Sequence, residues 1–155
     1  MGLPDTWIHR LSRRAKGGDA PTPRKPPNRE EEAIQRGIID LAVALGIAGR
    51  DAASGLCPGS CIVFSVPNER KSNPIAVARL KSMGLLPGVA DLVFVAIGGQ
   101  AHFMEVKTKK GRLSPSQGTF RDDCQAGGVA WALVRSIDDA QDCFERWGLT
   151  TRRVK

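Results

Sequence analysis

Three side chains in this sequence are spaced to do chemistry together. Glu105 and Lys107 stand two residues apart in the apolar run "HFMEVKT", and Asp91 stands in "VADLVFV" fourteen residues earlier. Two carboxylates held close repel each other unless a proton or a cation lies between them. Oxygen donors without His or Cys favour a hard cation such as Mg2+, which takes one or two carboxylates and completes its shell with water and substrate phosphate. Such a cation polarises a phosphodiester, lowers the pKa of an attacking water and stabilises the leaving oxygen. An ammonium at the same place holds the water or offsets charge in the transition state. Spacing by itself leaves a plain Asp–Lys cross-strand ion pair equally open.

Whether the three groups meet depends on the elements that carry them. "VADLVFVAI" from about Val89 to Ile97 reads as one strand and "AHFMEVKT" as the next, joined by Gly98-Gly99-Gln100. Side chains alternate along a strand, so loop length decides which residues share a face. A three-residue loop puts Ile97 across from Ala101 and Asp91 across from Lys107, with Glu105 the diagonal neighbour on the same side. A two-residue loop would throw Glu105 to the opposite face. Two glycines followed by Gln permit the longer turn.

The rest of the chain supplies the frame. Asn28 caps a helix with three acids in its first turns and Gly46 as its stop, and Ile34, Ile38, Leu41, Ala42 and Leu45 recur along one side. Glu31 lies almost on that apolar line, whereas Glu30 and Glu32 point away. A loop leads to the strand "CIVFSV" (61–66), and "PNERKSN" connects it to a helix over 74–83, with Asn73 as cap and Gly84 as stop. Ser114-Pro115-Ser116-Gln117 resembles a capping box opening a helix that ends near Gly127. "VAWALV" (129–134) is a strand and "SIDDAQDCFERWG" a final helix. Strands apolar on both faces, alternating with helices, imply an α/β protein: a three-layer α/β/α sandwich with a mixed central sheet.

The chain has 155 residues and a net charge of +7, unevenly placed. Residues 1–29 carry seven Lys/Arg against two Asp, and Arg152, Arg153 and Lys155 add three more at the other end, while 30–150 is close to neutral. Basic ends can contact a polyanion or can be merely solvated tails. The expected organisation is a basic segment and Gly/Pro-rich linker over 1–27, a folded domain over 28–150 and a basic tail over 151–155. Cys57, Cys61, Cys124 and Cys143 match no zinc spacing, and no apolar run is long enough to span a membrane. Reduced thiols in a cytoplasmic protein are expected.

At this point the residues resemble a known family. "EEAIQRGIIDLAVALG", "GLLPGVADLVFV" and "HFMEVKTKKGRLSPSQ" look like the VRR-NUC branch of the PD-(D/E)XK nucleases, over roughly residues 28–135 and including "SVPNERK". One position departs: Ala90 stands where the motif has proline, a place that holds no ligand. The resemblance implies a restriction-endonuclease-like fold and a Mg2+- or Mn2+-dependent DNA endonuclease hydrolysing phosphodiester bonds. Carried over position by position, it implies that Asp91 and Glu105 bind the metal with the backbone carbonyl of Val106, and that Lys107 is the catalytic lysine. Glu31 matches a helix-borne acid reaching the metal through water or a second site, and Gln117 a glutamine supporting the lysine or the scissile phosphate. Read from the residues alone, Gln117 serves equally as the capping partner of Ser114, and Glu31 as an acid favouring the helix dipole.

Lys109, Lys110 and Arg112 follow the second strand at the rim of Lys107, and Arg70 and Lys71 lie in the loop after the first. All five are candidate phosphate contacts, which give affinity without sequence choice; the alternative is ordinary soluble loops. The resemblance further implies branched or flapped DNA as substrate (Holliday-junction resolvase-like or flap-cleaving), a homodimer, and the cytoplasm of a bacterial host in a phage or prophage setting. Trp131, Phe144 and Trp147 are candidates for a dimer patch or for the core. Two other functions stand beside this one: a nickase or restriction-like nuclease in phage DNA processing, and a non-catalytic DNA-binding module on a nuclease scaffold.

Overall fold

The computed structural model of the chain describes residues 29–53, 55–66 and 74–150. The expected Asn28 cap, the two basic ends, and Arg70 and Lys71 lie outside the described residues. Helix α1 spans Arg29–Ala44, followed by strands β1 (Ala48–Asp51), β2 (Gly55–Pro58) and β3 (Cys61–Ser65). Helix α2 (Pro74–Ser82), strands β4 (Leu92–Ala96) and β5 (Ala101–Val106), helix α3 (Pro115–Ala126), strand β6 (Ala130–Val134) and helix α4 (Ile137–Arg146) complete the order.

The central sheet has four strands in the order β3-β4-β5-β6. β3 and β5 both run antiparallel to β4, and β6 runs parallel to β5. A parallel neighbour needs a crossover, and α3 provides it between β5 and β6. Alternation then sorts the side chains. Leu92, Phe94, Met104 and Val106 join Ile38 and Ala42 of α1 and Ala140, Cys143 and Phe144 of α4 in the main core. On the other face Phe103 and Trp131 pack against Phe120 and Cys124 of α3. The sheet is therefore covered by helices on both faces, an α/β/α arrangement with a mixed sheet.

The helical stripe of α1 packs as its spacing requires, with Ile38 and Ala42 fully buried and Ile34, Leu41 and Leu45 against the same cluster. Gly37 lets α4 come close, since a Cβ there would stand 2.5 Å from Ile137 Cδ1. Phe144 is fully buried edge-on to Phe94, 5.2 Å between ring centroids, and Trp147 lies against Phe94 and His102. Trp131, Phe144 and Trp147 thus serve the two cores. The large apolar side chains left exposed in the sheet are Ile62 and Phe64 on edge strand β3 and Ile97 at the β4–β5 turn.

Two expectations are corrected. The segment after α1 is not a simple loop: β1 and β2 form an antiparallel hairpin with Ala48 across from Pro58. Its short sequence, rich in Gly and Ala, lacks the apolar alternation that marks a strand. The β4–β5 register also differs, pairing Val95 with Ala101 and Leu92 with Met104. Ala96 N–H donates to the Gln100 carbonyl at 2.9 Å, so the loop is Ile97-Gly98-Gly99. Gly98 and Gly99 take φ of 116° and 87°, values open to glycine, and they fall at the second and third loop positions. Because the pairing moves by two residues, every side chain keeps its face. Continued to the strand ends, it sets Asp91 across from Glu105 rather than Lys107.

Candidate active site

The site lies where β4 begins and β5 ends, on the face covered by α3. β4 enters the ladder only at Leu92, and Asp91 at its threshold turns its carboxylate to β5: Val106 N–H donates to Asp91 Oδ2 at 2.9 Å. The Asp91 carbonyl accepts from Val66 N–H at 2.9 Å, which ties the same residue to the end of β3. The turn before it is fixed by Gly88, whose φ is 81°. A Cβ at Gly88 would stand 2.3 Å from the Ser116 carbonyl, so the turn rests directly on the first turn of α3.

Glu105 is 0% exposed and Lys107 is 6% exposed, and the two form a salt bridge. Lys107 Nζ donates to Glu105 Oε1 and, at 3.3 Å, to the Val106 carbonyl. Gln117 Nε2 donates to the same Oε1 of Glu105. The other oxygen, Oε2, is buried without a hydrogen-bond partner. Burial, and then the neighbouring charge of Asp91, push the Glu105 carboxyl up to about 7, against the opposing pull of Lys107. This carboxyl sits beside a second acid in a shielded place. Groups perturbed by burial plus a specific charged neighbour cluster at functional sites.

Gln117 fills its expected capping role and also contacts Glu105, rather than Lys107. Its Oε1 accepts from Ser114 N–H at 2.9 Å while Ser114 Oγ accepts from Gln117 N–H at 3.3 Å, a complete capping box. The amide's other end reaches Glu105. One side chain therefore locks the start of α3 to the carboxylate on β5, leaving Oε1 saturated and Oε2 open.

The remaining candidates are distributed differently. Glu31 is half-buried in the first turn of α1, with Glu30 and Glu32 exposed beside it. Among the described residues no three of His, Cys, Asp and Glu come together as a metal-holding group, so Glu31 does not make a triad with Asp91 and Glu105 here. Lys109, Lys110 and Arg112 are exposed in the turn after β5. Cys61, Cys124 and Cys143 are buried and form no disulfide.

Sequence reasoning gave no role to Arg135 or Gly111. Arg135 Nη1 donates to the carbonyls of Thr108 and Gly111, the latter at 2.9 Å. A Cβ at Gly111 would stand 3.1 Å from Lys107 Cβ. The partners of Arg135 are backbone carbonyls more than twenty residues away, a contact with no residue-type signature. Gly111 does stand out as the break in "KTKKGRLS".

No family profile matches the chain, and no curated protein matches it. Among solved structures, one described as a "VRR_NUC domain protein" matches at a TM-score of 0.55 and 15% identity, over 79% of this chain and 90% of that one. Another, a "VRR_NUC domain", aligns over 76% of this chain and 97% of its own at 18% identity and a TM-score of 0.49. The mixed four-stranded sheet, flanked by helices on both faces, is thus the restriction-endonuclease-like fold of a VRR-NUC domain structure.

Proposed function

We propose that this chain is a metal-dependent DNA endonuclease of the VRR-NUC type, hydrolysing phosphodiester bonds at branched or flapped DNA. The observation that carries the reading is the buried Glu105–Lys107 ion pair beside half-buried Asp91, with Glu105 Oε2 buried and without a hydrogen-bond partner. A fold gains little from such a group: buried ion pairs are often no more stabilising than apolar residues of the same volume, and an unpaired buried oxygen adds cost. A non-catalytic scaffold would need none of the three.

The donor set suits a hard divalent cation: two carboxylates, one with an open oxygen, and the nearby carbonyl of Val106, which Lys107 Nζ now approaches. Asp91, Glu105 and the Val106 carbonyl would hold Mg2+ (or Mn2+), with Glu31 reaching it through water. When bound, that ion polarises the phosphodiester and acidifies water. The protein's own groups do the rest. Lys107 orients the attacking water or offsets charge on the phosphate. Gln117 holds Glu105 through Oε1 and leaves Oε2 without a hydrogen-bond partner. Lys109, Lys110 and Arg112, with Arg70 and Lys71, supply phosphate contacts that bind without choosing sequence. Burial also keeps Glu105 protonated until about neutral pH when no cation is near, so metal binding would release a proton there. The reading includes a homodimer acting in the cytoplasm of a bacterial host.

The test is cleavage of labelled four-way junction, flap and linear duplex DNA with Mg2+, Mn2+ or EDTA, with Lys107→Ala beside the wild type. Metal-dependent cutting lost in the variant supports the reading, and the ranking of substrates identifies the preferred structure. Binding without cutting, equal in both proteins, would replace it with a DNA-binding module.

A further inference from the structure

The geometry points to Arg135 as a positioning residue for Lys107, an inference that rests on the nuclease reading above. Arg135 is the first residue after β6, and the last residue of that strand, Val134, accepts a hydrogen bond from the backbone N–H of Lys107 at 3.0 Å. Parallel pairing therefore sets Lys107 and Arg135 side by side at the sheet's end. From there Arg135 Nη1 reaches the carbonyls of both Thr108 and Gly111. The Thr108 carbonyl also accepts from Gly111 N–H at 3.0 Å. One guanidinium thus closes the Thr108–Gly111 turn from below, as a planar donor group can and a point-like ammonium does poorly.

The closed turn lies on the lysine. At Gly111 an added Cβ would stand 3.1 Å from Lys107 Cβ and 3.3 Å from Cδ, so the backbone of the turn rests against the aliphatic stem. This contact helps keep the Lys107 side chain 7% exposed and its ammonium on Glu105. The anchor is itself held: Arg135 N–H donates to Asp139 Oδ2 at 2.8 Å, at the start of α4. Lys109 and Lys110 at the exposed tip of the same turn are carried with it. Arg135 thus acts on the reaction through the turn that confines Lys107.

The experiment compares Arg135→Ala and Arg135→Lys with the wild type, using the full chain and labelled four-way junction in Mg2+. Loss of a supporting contact of this kind lowers activity by roughly 10- to 100-fold. The loss is expected in kcat, with little change in KM, with partial recovery in Arg135→Lys, and with guanidinium ion at millimolar concentration restoring part of the Arg135→Ala activity. The salt dependence of DNA binding should keep its slope in Arg135→Ala, whereas Lys109→Ala should reduce that slope by about one. A reduced slope with unchanged kcat in Arg135→Ala would make Arg135 a direct phosphate contact and overturn the proposal. Amide hydrogen exchange at Gly111, read without DNA or metal, tests the clip independently of catalysis: faster exchange in Arg135→Ala is expected, and unchanged exchange overturns it. If the wild type cuts nothing, the nuclease reading fails and the positioning role with it, while the Gly111 exchange still decides whether the clip exists.

Discussion

Replacing Glu105 with Gln isolates the energetic consequence of burying a carboxylate beside another. The folded protein raises this carboxyl from 4.5 to about 7, through burial and the nearby Asp91. Between those two values the unfolded chain has released the proton that the folded chain still holds, so stability falls as pH rises through that window. At about 1.4 kcal/mol per pH unit, the loss is roughly 3 kcal/mol, absent below about pH 4.5 and complete above about pH 7. Gln keeps the shape and still presents Oε1 to Lys107 and Gln117, but has no charge to bury. Urea denaturation in EDTA, followed by tryptophan fluorescence, should show the wild type losing about 3 kcal/mol more than Glu105→Gln between about pH 4.5 and pH 8. Titrating groups distant from Glu105 are shared and cancel in the difference. Adding Mg2+ at about pH 8 should stabilise the wild type, because a cation that binds only the folded state shifts the equilibrium towards it, and should leave the variant unchanged. Parallel pH profiles in the two proteins would refute the reasoning about burial. An equal response to Mg2+ would refute the assignment of Glu105 as a ligand.

Gln117 and Ser114 separate capping from site support. Ser114→Ala should cost about 1 kcal/mol in denaturation and spare cleavage, whereas Gln117→Glu, which keeps the capping pattern but sets a third carboxylate beside Asp91 and Glu105, should cut cleavage by roughly 10- to 100-fold. Gly88→Ala meets backbone in a left-handed conformation and should cost more than about 2 kcal/mol, with loss of cleavage, because the turn carrying Asp91 can no longer rest on α3. Phe144→Ala should cost about 3–5 kcal/mol by leaving a hole against Phe94; a calorimetric melt within a degree or two of the wild type would place Phe144 outside the core.

Local pattern made much of this molecule legible. The i, i+3, i+4 recurrence of Ile34, Ile38 and Leu41 marked the buried side of α1, because a helix repeats every 3.6 residues whatever surrounds it. The Ser114–Gln117 box was readable because both partners lie within one turn. The shared face of Asp91, Glu105 and Lys107 followed from a strand's period of two, and it survived an incorrect register since the error was an even number of residues. The β1–β2 hairpin escaped because the four-residue strands Ala-Gly-Arg-Asp and Gly-Leu-Cys-Pro are specified by pairing and packing rather than by any apolar alternation.

By itself, then, the sequence determined which residue types lie on which face and where helices start, since those follow from backbone periods and bonds within a few residues. Tertiary structure alone decided that Asp91 meets Glu105 rather than Lys107, that Gln117 spans from its own helix cap to a strand, and that Arg135 grips two distant carbonyls over Lys107. Those contacts join segments whose mutual placement is settled by how the sheet registers and how α3 and β6 dock on it, energies summed over the whole core and carried by no single stretch of residues.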